Sequence, residues 1–227
     1  MTAREEILGD VGRALGRTAW DKASIAAEAR TLLETPDAIR PSLPTPSAVE
    51  SFLQRVVGPK VGATVDRVSS LAGLPGAVAR FLAEKKLDTK VALQPTASFT
   101  SLDWARAGVM LHNEINEGVV VGLARWGIAE TGSLVFHSAA DTPILFNFLP
   151  AVNIVAVHAH TIVPHMEDYA TAACSVGSAP RNACLITGAS GTTDIEGSLV
   201  KGAHGPRDLH IVLVDDAATA GSLEPGT

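Results

Sequence analysis

The sequence predicts an α/β fold: a mostly parallel sheet with helices on both faces, preceded by an N-terminal helical arm. Short runs rich in valine, isoleucine and leucine alternate with helical patterns of about ten residues along most of the chain. Hydrophobic residues make up 46% of the 227 residues, yet only 4% are aromatic. Such a core has to be built from aliphatic side chains, as in buried parallel strands that are covered by Ala/Leu-rich helices.

Two regions of different composition indicate the domain organisation. Between residues 4 and 34 apolar side chains recur at helical spacing, and Asp21 is placed to cap a second helix there. The prolines that follow rule out a continuous helix and indicate a semi-rigid connector; they are Pro36, Pro41, Pro44 and Pro46. We therefore expect an arm and connector over 1–46 and an α/β domain over 47–227.

Within the α/β domain the pattern of apolar residues predicts each element in turn. The predicted strands are 60–65, 90–93, 119–123, 134–137, 154–158, 183–187 and 210–214. The predicted helices are 47–57, 74–86, 142–149, 166–176 and 193–201. Only the two strands between 119 and 137 are expected to form an antiparallel pair. Because folds of this class bind ligands beyond the carboxyl ends of their strands, we expect a site in the loops that follow strands.

Charge and composition exclude several functional classes. The 18 Lys and Arg residues against 24 Asp and Glu residues give a net charge of −6, without a basic stripe, which argues against a nucleic-acid partner. Cys174 and Cys184 lack the spacing of a disulfide framework or a metal site. The uncharged stretch 142–166 contains three prolines and several polar side chains, so it does not predict a membrane span. The N-terminus lacks the layout of a signal peptide, and we expect a cytoplasmic protein.

The segment 183–196 is the leading candidate for a binding site. A predicted strand runs into a loop of glycines and small hydroxyl residues, which core packing does not require. If a helix begins at Thr193, its free N–H groups suit a phosphate or carboxylate, whereas Asp194 and Glu196 favour a hydroxyl-bearing ligand or a metal. A capping box of Thr193 and Glu196 explains the same residues without a ligand. The predicted contacts are Gly188, Ser190, Gly191, Thr192, Thr193, Asp194 and Glu196.

Further candidates lie elsewhere in the chain. The turn Glu130-Thr131-Gly132 offers two ligand contacts, Thr131 and Gly132, beside a carboxylate. The candidates for a catalytic role are Glu130, Asp194 and His204. A regular strand–helix–strand unit would place His204 at the opposite end of the sheet from Ser190.

Histidines at and after the end of the predicted strand 154–158 are weak candidates for metal ligands. His158 and His160 share one face of a strand with period-two alternation, and His165 and Asp168 follow closely. Histidines at strand ends more often bond to backbone or water than to a metal, so no metal is the preferred interpretation.

Three motifs resemble one known family. Gly188-Ala189-Ser190-Gly191-Thr192-Thr193-Asp194-Ile195-Glu196 is followed by Gly202-Ala203-His204-Gly205-Pro206 and Leu209-His210-Ile211-Val212-Leu213-Val214-Asp215. This order resembles the C-terminal signature of the lactate-utilisation protein C family (LutC/YkgG, the LUD domain). The segment Gly127-Ile128-Ala129-Glu130-Thr131-Gly132-Ser133-Leu134-Val135 is similar to the central motif of the same family.

The resemblance covers most of 47–227 and carries its own implications. It implies a fold like that of the NagB/RpiA/CoA-transferase group and a place in bacterial oxidation of L-lactate to pyruvate. It also implies partner subunits that carry iron–sulfur clusters. This chain has no haem motif, cysteine cluster or dinucleotide fingerprint, so we expect no cofactor in it.

The leading interpretation is a lactate-utilisation subunit that binds a small carboxylate- or hydroxyl-bearing metabolite. Two alternatives stay open. One is a stand-alone enzyme of the CoA-transferase or sugar-phosphate isomerase kind, with Glu130 or Asp194 as nucleophile or base. The other is a non-catalytic scaffold whose amphipathic arm docks another subunit. Whether the chain forms a homo-oligomer is also left open.

Overall fold

The computed structural model describes residues 2–16, 21–34, 40–112, 118–175, 180–193 and 199–216, with the backbone alone at 32, 33, 193 and 199. The chain divides into two compact units, Met1–Pro41 and Ser42–Thr227. The first unit contains α1 (Ala3–Ala14) and α2 (Lys22–Glu34).

Both helices of the first unit begin with a side-chain cap. The Thr2 hydroxyl accepts the backbone N–H of Glu5, and the Glu5 carboxylate accepts the N–H of Thr2, which forms a capping box. The Asp21 carboxylate accepts the N–H groups of Ala23 and Ser24 at the start of α2, as the sequence predicts.

The second unit is built on a six-stranded sheet. Its strands are β1 (Thr64–Val68), β2 (Lys90–Leu93), β3 (Met110–His112), β4 (Val119–Leu123), β7 (Val152–His158) and β12 (Asp208–Val214). Their order is β1-β12-β7-β4-β2-β3, and every neighbouring pair is parallel. The predicted mostly parallel sheet is confirmed, although β1 begins at Thr64 rather than at residue 60.

Helices cover the two faces of this sheet, as predicted. On one face α4 (Leu74–Lys85) packs Phe81 and Leu82 with the aliphatic side chains of the strands. On the other face α3 (Ala48–Val57) packs Phe52 and Val56 against the sheet together with Phe136 of a second, smaller sheet. The aliphatic strand side chains that the composition predicted are therefore buried on both faces.

The smaller sheet contains β5 (Trp126–Ile128), β6 (Ser133–His137), β8 (Ile162–Val163) and β9 (Ala183–Ile186), in the order β8-β5-β6-β9. β6 runs antiparallel to β5 and β9, whereas β5 and β8 are parallel. Helix α6 (Met166–Ser175) covers it through Tyr169, which contacts Trp126.

The predicted antiparallel pair of 119–123 with 134–137 is wrong. β4 lies in the central sheet between two parallel neighbours, and the antiparallel partners of β6 are β5 and β9. β4 and β6 are both short, largely apolar strands with four buried residues each, so their local pattern does not distinguish the two sheets.

Two of the predicted helices are also corrected. The stretch 142–149 contains only a 3₁₀ turn, Ile144–Asn147, because Pro143 and Pro150 leave little room for a longer helix. The predicted helix 193–201 is wrong at both of its described ends: β10 (Gly191–Thr193) and β11 (Leu199–Lys201) pair as the antiparallel strands of a hairpin, and 194–198 lie outside the described residues. Its β-branched threonines and valine favour extended backbone.

The other helices have the predicted positions, as α3, α4 and α6, and a short α5 (Ala97–Thr100) follows β2. Among the helices that the structure describes, none combines the length and the apolar character needed to cross a bilayer.

Candidate functional site

Gly188 fixes the path of the predicted ligand loop. Its φ is +90°, and a Cβ at this position would lie 2.6 Å from the carbonyl oxygen of Val61, just before β1. The loop follows the carboxyl end of β9, as predicted, but β9 belongs to the smaller sheet. Relative to the central sheet, the loop lies at the amino end of β1. The loop thus follows a strand, as expected, but it does not lie at the carboxyl edge of the central parallel sheet.

Ser190 joins this loop to the segment that precedes β12. Its backbone N–H donates to the carbonyl oxygen of Pro206 at 2.7 Å, and its own carbonyl accepts the N–H of Gly202 at 2.9 Å. Gly205 is so close that a Cβ there would lie 3.3 Å from the Ser190 Cβ. The β10–β11 hairpin reverses the chain, so the exposed His204 lies in the same pair of loops as Ser190. The separation that a regular strand–helix–strand unit would give does not occur, because Gly191–Thr193 and Leu199–Lys201 are paired strands.

A chain of three hydroxyl groups connects the turn at 130–132 with the same loop. The Thr131 and Ser133 Oγ atoms are 2.7 Å apart, and Ser133 Oγ is 2.6 Å from Thr187 Oγ1. Ser133 is 2% exposed, whereas Thr187 is exposed. The two segments that the motifs singled out, around Thr131 and around Gly188, thus meet at one place.

Sequence reasoning missed Ser133 and Thr187. They meet because β6 pairs with β9, with Leu134 opposite Ile186. The sequence feature that could have identified them is their position next to predicted residues, since Ser133 follows Gly132 and Thr187 precedes Gly188. The pairing that makes them neighbours could not be deduced from the spacing alone.

Turn geometry accounts for Gly132. Its φ is +73°, its N–H donates to the carbonyl of Ile128 at 2.9 Å, and a Cβ would lie 2.9 Å from Cγ of Arg55. The residue is buried against α3. A ligand contact is not needed to explain a glycine at this position.

Glu130 caps helix α6. Its Oε1 accepts the backbone N–H of Met166 at 3.2 Å, and its own N–H donates to the carbonyl of Pro164 at 3.0 Å. The helix dipole favours a negative charge at this end. This contact explains the carboxylate without a nucleophilic role.

The remaining predicted residues of the loop divide into two groups. Gly191, Thr192 and Thr193 lie in β10, with Thr193 opposite Leu199 in the hairpin. Asp194 and Glu196 lie outside the described residues. Thr193, predicted to cap a helix, lies in a strand instead, and so does Leu199–Lys201, where that helix was predicted to end.

The predicted histidines are partly brought together. The rings of His158 and His160 are 5.2 Å apart, although the strand ends at His158 and His160 lies in a 3₁₀ turn. Both face Asp216, which sequence reasoning missed. His165 is outside this cluster; its Nδ1 is 3.4 Å from Oδ2 of Asp168.

Two further histidines are held in structural contacts. His210 stacks on Phe81 with ring centroids 4.1 Å apart and its Nδ1 is 2.8 Å from Thr64 Oγ1. Burial lowers the pKa of His210 to about 4. His137 Nε2 is 2.9 Å from the Tyr169 hydroxyl, and burial also lowers the pKa of His137.

The chain is thus an α/β protein with a parallel central sheet and a small mixed sheet on one face, and its loops bring together segments that the motifs singled out. The LUD domain family matches residues 116–214. In fold the chain is similar to a DUF162 family protein from Deinococcus radiodurans whose crystal structure is known. The two share 23% identity and a TM-score of 0.50 over 74% of this chain and 96% of that one.

Sequence relatives give the family. A lactate utilization protein C from Deinococcus radiodurans is 31% identical over 158 residues, which is 67% of this chain and 74% of the relative. One from Geobacillus kaustophilus is 34% identical over 93 residues, 39% of each chain. The chain belongs to the lactate utilization protein C family, which confirms the resemblance seen in the motifs. With the Geobacillus protein, the match spans well under half of that relative's length.

Proposed function

We propose that this protein is a cytoplasmic subunit of a bacterial system that oxidises L-lactate to pyruvate. In this proposal it binds a small carboxylate- or hydroxyl-bearing metabolite, and iron–sulfur clusters on partner subunits accept the electrons. The names of the relatives support the pathway, since those proteins are called lactate utilization protein C. The absence of a redox motif in the sequence supports the division of labour with partners.

One observation carries the proposed binding role: the hydroxyl chain from Thr131 through Ser133 to Thr187 meets the loop that contains Ser190. Core packing does not require so many small polar side chains at one place. Hydroxyl groups both donate and accept hydrogen bonds, so they can pair with the hydroxyl and the carboxylate of a 2-hydroxy acid. The buried Ser133 holds the exposed Thr187 in position, which reduces the entropy that a bound ligand would have to remove.

Growth on lactate tests the pathway. A bacterium that lacks its own lactate utilization protein C should regain growth on L-lactate as the only carbon source when it expresses this chain. Growth on pyruvate should be unaffected throughout. If the expressed, folded chain does not restore growth on lactate, the proposed pathway is wrong.

Ligand binding by the purified chain tests the site. L-lactate, pyruvate and acetate are compared by thermal unfolding, since a ligand at 100 times its dissociation constant stabilises the folded state by about 2.7 kcal/mol. We expect Thr187→Val and Ser190→Ala to reduce the stabilisation by lactate or pyruvate. The matched control is Ser175→Ala, whose hydroxyl donates to the carbonyl of Ala172 within α6. Equal stabilisation of all the variants would place the ligand elsewhere.

The helical arm offers a test of the partner subunits. Residues 1–41 form a compact unit of their own, with α1 and α2. We expect a chain without residues 1–40 to remain folded but to co-purify less with the iron–sulfur subunits of the host system. Unchanged co-purification would show that the arm does not dock them.

A further inference from the structure

Three metal-ligating side chains meet at the carboxyl ends of β7 and β12. His158 ends β7, His160 lies in the turn after it, and Asp216 follows β12. The two strands are neighbours, with Val214 opposite His158 in the register, so the residues that follow them emerge side by side. This is the edge at which parallel α/β sheets bind ligands.

The donor atoms lie close enough together for one ion to contact all three after small rotations of the side chains. One ligand atom from each of the three residues lies within 4.8 Å of the others. Oδ1 of Asp216 is 2.7 Å from Nδ1 of His158 and 3.9 Å from Nδ1 of His160. Donors at about 2.0–2.1 Å from a tetrahedral ion are roughly 3.3 Å apart. The two measured separations lie on either side of that value, so small side-chain rotations would bring the donor atoms to the distances of a tetrahedral site.

We propose that His158, His160 and Asp216 bind a divalent transition-metal ion of the zinc type. Two imidazole nitrogens and one carboxylate oxygen suit zinc, whereas Mg²⁺ and Ca²⁺ prefer oxygen ligands throughout. The three side chains are 21%, 27% and 32% exposed, so an ion can reach donors that the ends of two strands hold in place. Three protein ligands leave a coordination position open for water or a small anion, as in catalytic rather than structural zinc sites.

This site is separate from the loops around Ser190. Those loops lie at the amino ends of β1 and β12, whereas the histidines and Asp216 lie at the carboxyl ends. β12 has seven residues, so it spans roughly 20 Å between the two places. Metal binding and metabolite binding can therefore each be tested without the other.

Calorimetry with Zn²⁺ on the full chain, without an affinity tag and stripped of metal by a chelator, tests the proposal. We expect one Zn²⁺ per chain and no binding of Mg²⁺. His158→Ala, His160→Ala and Asp216→Asn should each raise the dissociation constant for Zn²⁺ at least about tenfold, since even changes beside metal ligands cost that much. His160 lies in the turn after β7 and not in the sheet, so its variant keeps the test valid if His158→Ala fails to fold.

Two variants serve as matched controls. Asp215→Asn changes the neighbouring carboxylate, which accepts two hydrogen bonds from Arg67. His112→Ala removes a histidine at the same edge of the sheet, at the end of β3, three strands away from β7. Both should bind Zn²⁺ like the unchanged chain.

The free thiols Cys174 and Cys184 are the competing zinc ligands. A Co²⁺ complex of the proposed site should show weak d–d bands without a thiolate charge-transfer band. A thiolate band, the absence of Zn²⁺ binding, Mg²⁺ binding of equal strength, or unchanged affinity in the variants of the three ligands would each overturn the proposal. In that case the cluster is a hydrogen-bonded His–Asp pair that joins two strand ends.

Discussion

The carboxylate of Glu130 accepts the backbone N–H of Met166 at 3.2 Å, so a loop residue of the smaller sheet caps the helix that covers it. The turn after β5 and the start of α6 are thereby held together. A residue that the sequence offers as a nucleophile has a stabilising contact that depends on its acceptor oxygen and its charge.

Substitutions of Glu130 should separate the contribution of its acceptor oxygen to stability from the contribution of its charge. We expect Glu130→Ala to lower the free energy of unfolding by about 1 kcal/mol, as the loss of a helix cap does. Glu130→Gln should cost less, because it keeps the acceptor oxygen and loses only the charge at the helix end. Urea unfolding at neutral pH measures both, and a Glu130→Ala chain as stable as the unchanged one would contradict the capping role.

Gly188→Ala should be among the most destabilising small substitutions. Two effects add: φ is +90°, and the new methyl group would overlap the carbonyl oxygen of Val61. The matched control is Gly62→Ala, where φ is +66° but nothing lies within 4 Å of the added Cβ. We expect the control to lower the free energy of unfolding by about 1–2 kcal/mol. Gly188→Ala should lower it by at least about 1 kcal/mol more. Equal losses of unfolding free energy would show that the loop moves away from Val61.

His210 should make stability depend on pH. Burial first of all, together with Lys85 and Arg80, lowers its pKa from 6.5 to about 4, while Asp66 acts in the opposite direction. The unfolded chain then takes up the proton before the folded chain does. Neutral His210 therefore contributes fully to the free energy of unfolding above about pH 6.5. This contribution, up to about 3 kcal/mol, is lost as the pH falls towards 4.

The check is the slope of unfolding free energy against pH. Between pH 4 and 6.5 the slope should be smaller in His210→Gln than in the unchanged chain, whatever the absolute stability of the variant. The same slope in both would show that His210 titrates normally in the folded protein.

Helix α3 provides a test of which packing contacts hold the two sheets together. Phe52 is 0% exposed and lies against Gly127 of β5, where an added Cβ would be 3.3 Å from its ring. Phe52→Ala should lower the free energy of unfolding by about 3–5 kcal/mol. Val57→Ala, at a residue of the same helix that is 57% exposed, should change stability by less than about 1 kcal/mol. Similar losses for both would contradict the assignment of Phe52 to the core.

The sequence predicts the elements whose signal is local. Runs such as 90–93 and 119–123 are dominated by valine, alanine and leucine, and both are strands with the predicted bounds. Helix α4 has the apolar period and the Pro75 start that favour a helix. The helix predicted over 193–201 is wrong because a capping-box pattern also fits a strand and a turn, and the β-branched Thr192, Thr193 and Val200 favour the paired strands.

The site could be predicted only as separate segments. Thr131 and Ser190 come from motifs, but the contacts between their segments depend on β6 pairing with β9 and on the hairpin reversing the chain. Asp216 meets His158 because β12 lies beside β7. Strand order depends on the packing of the whole sheet, and local residue patterns do not contain it.

The position of β12 has a consequence for how this protein is made. β1, near the start of the domain, has β12 as its partner in the sheet, and Thr64 pairs with His210. During synthesis β1 therefore has no partner strand until most of the domain has emerged from the ribosome. Such distant pairings slow folding and leave an unpaired, aggregation-prone edge in the nascent chain. Expression at low temperature or with chaperones should accordingly raise the yield of folded protein.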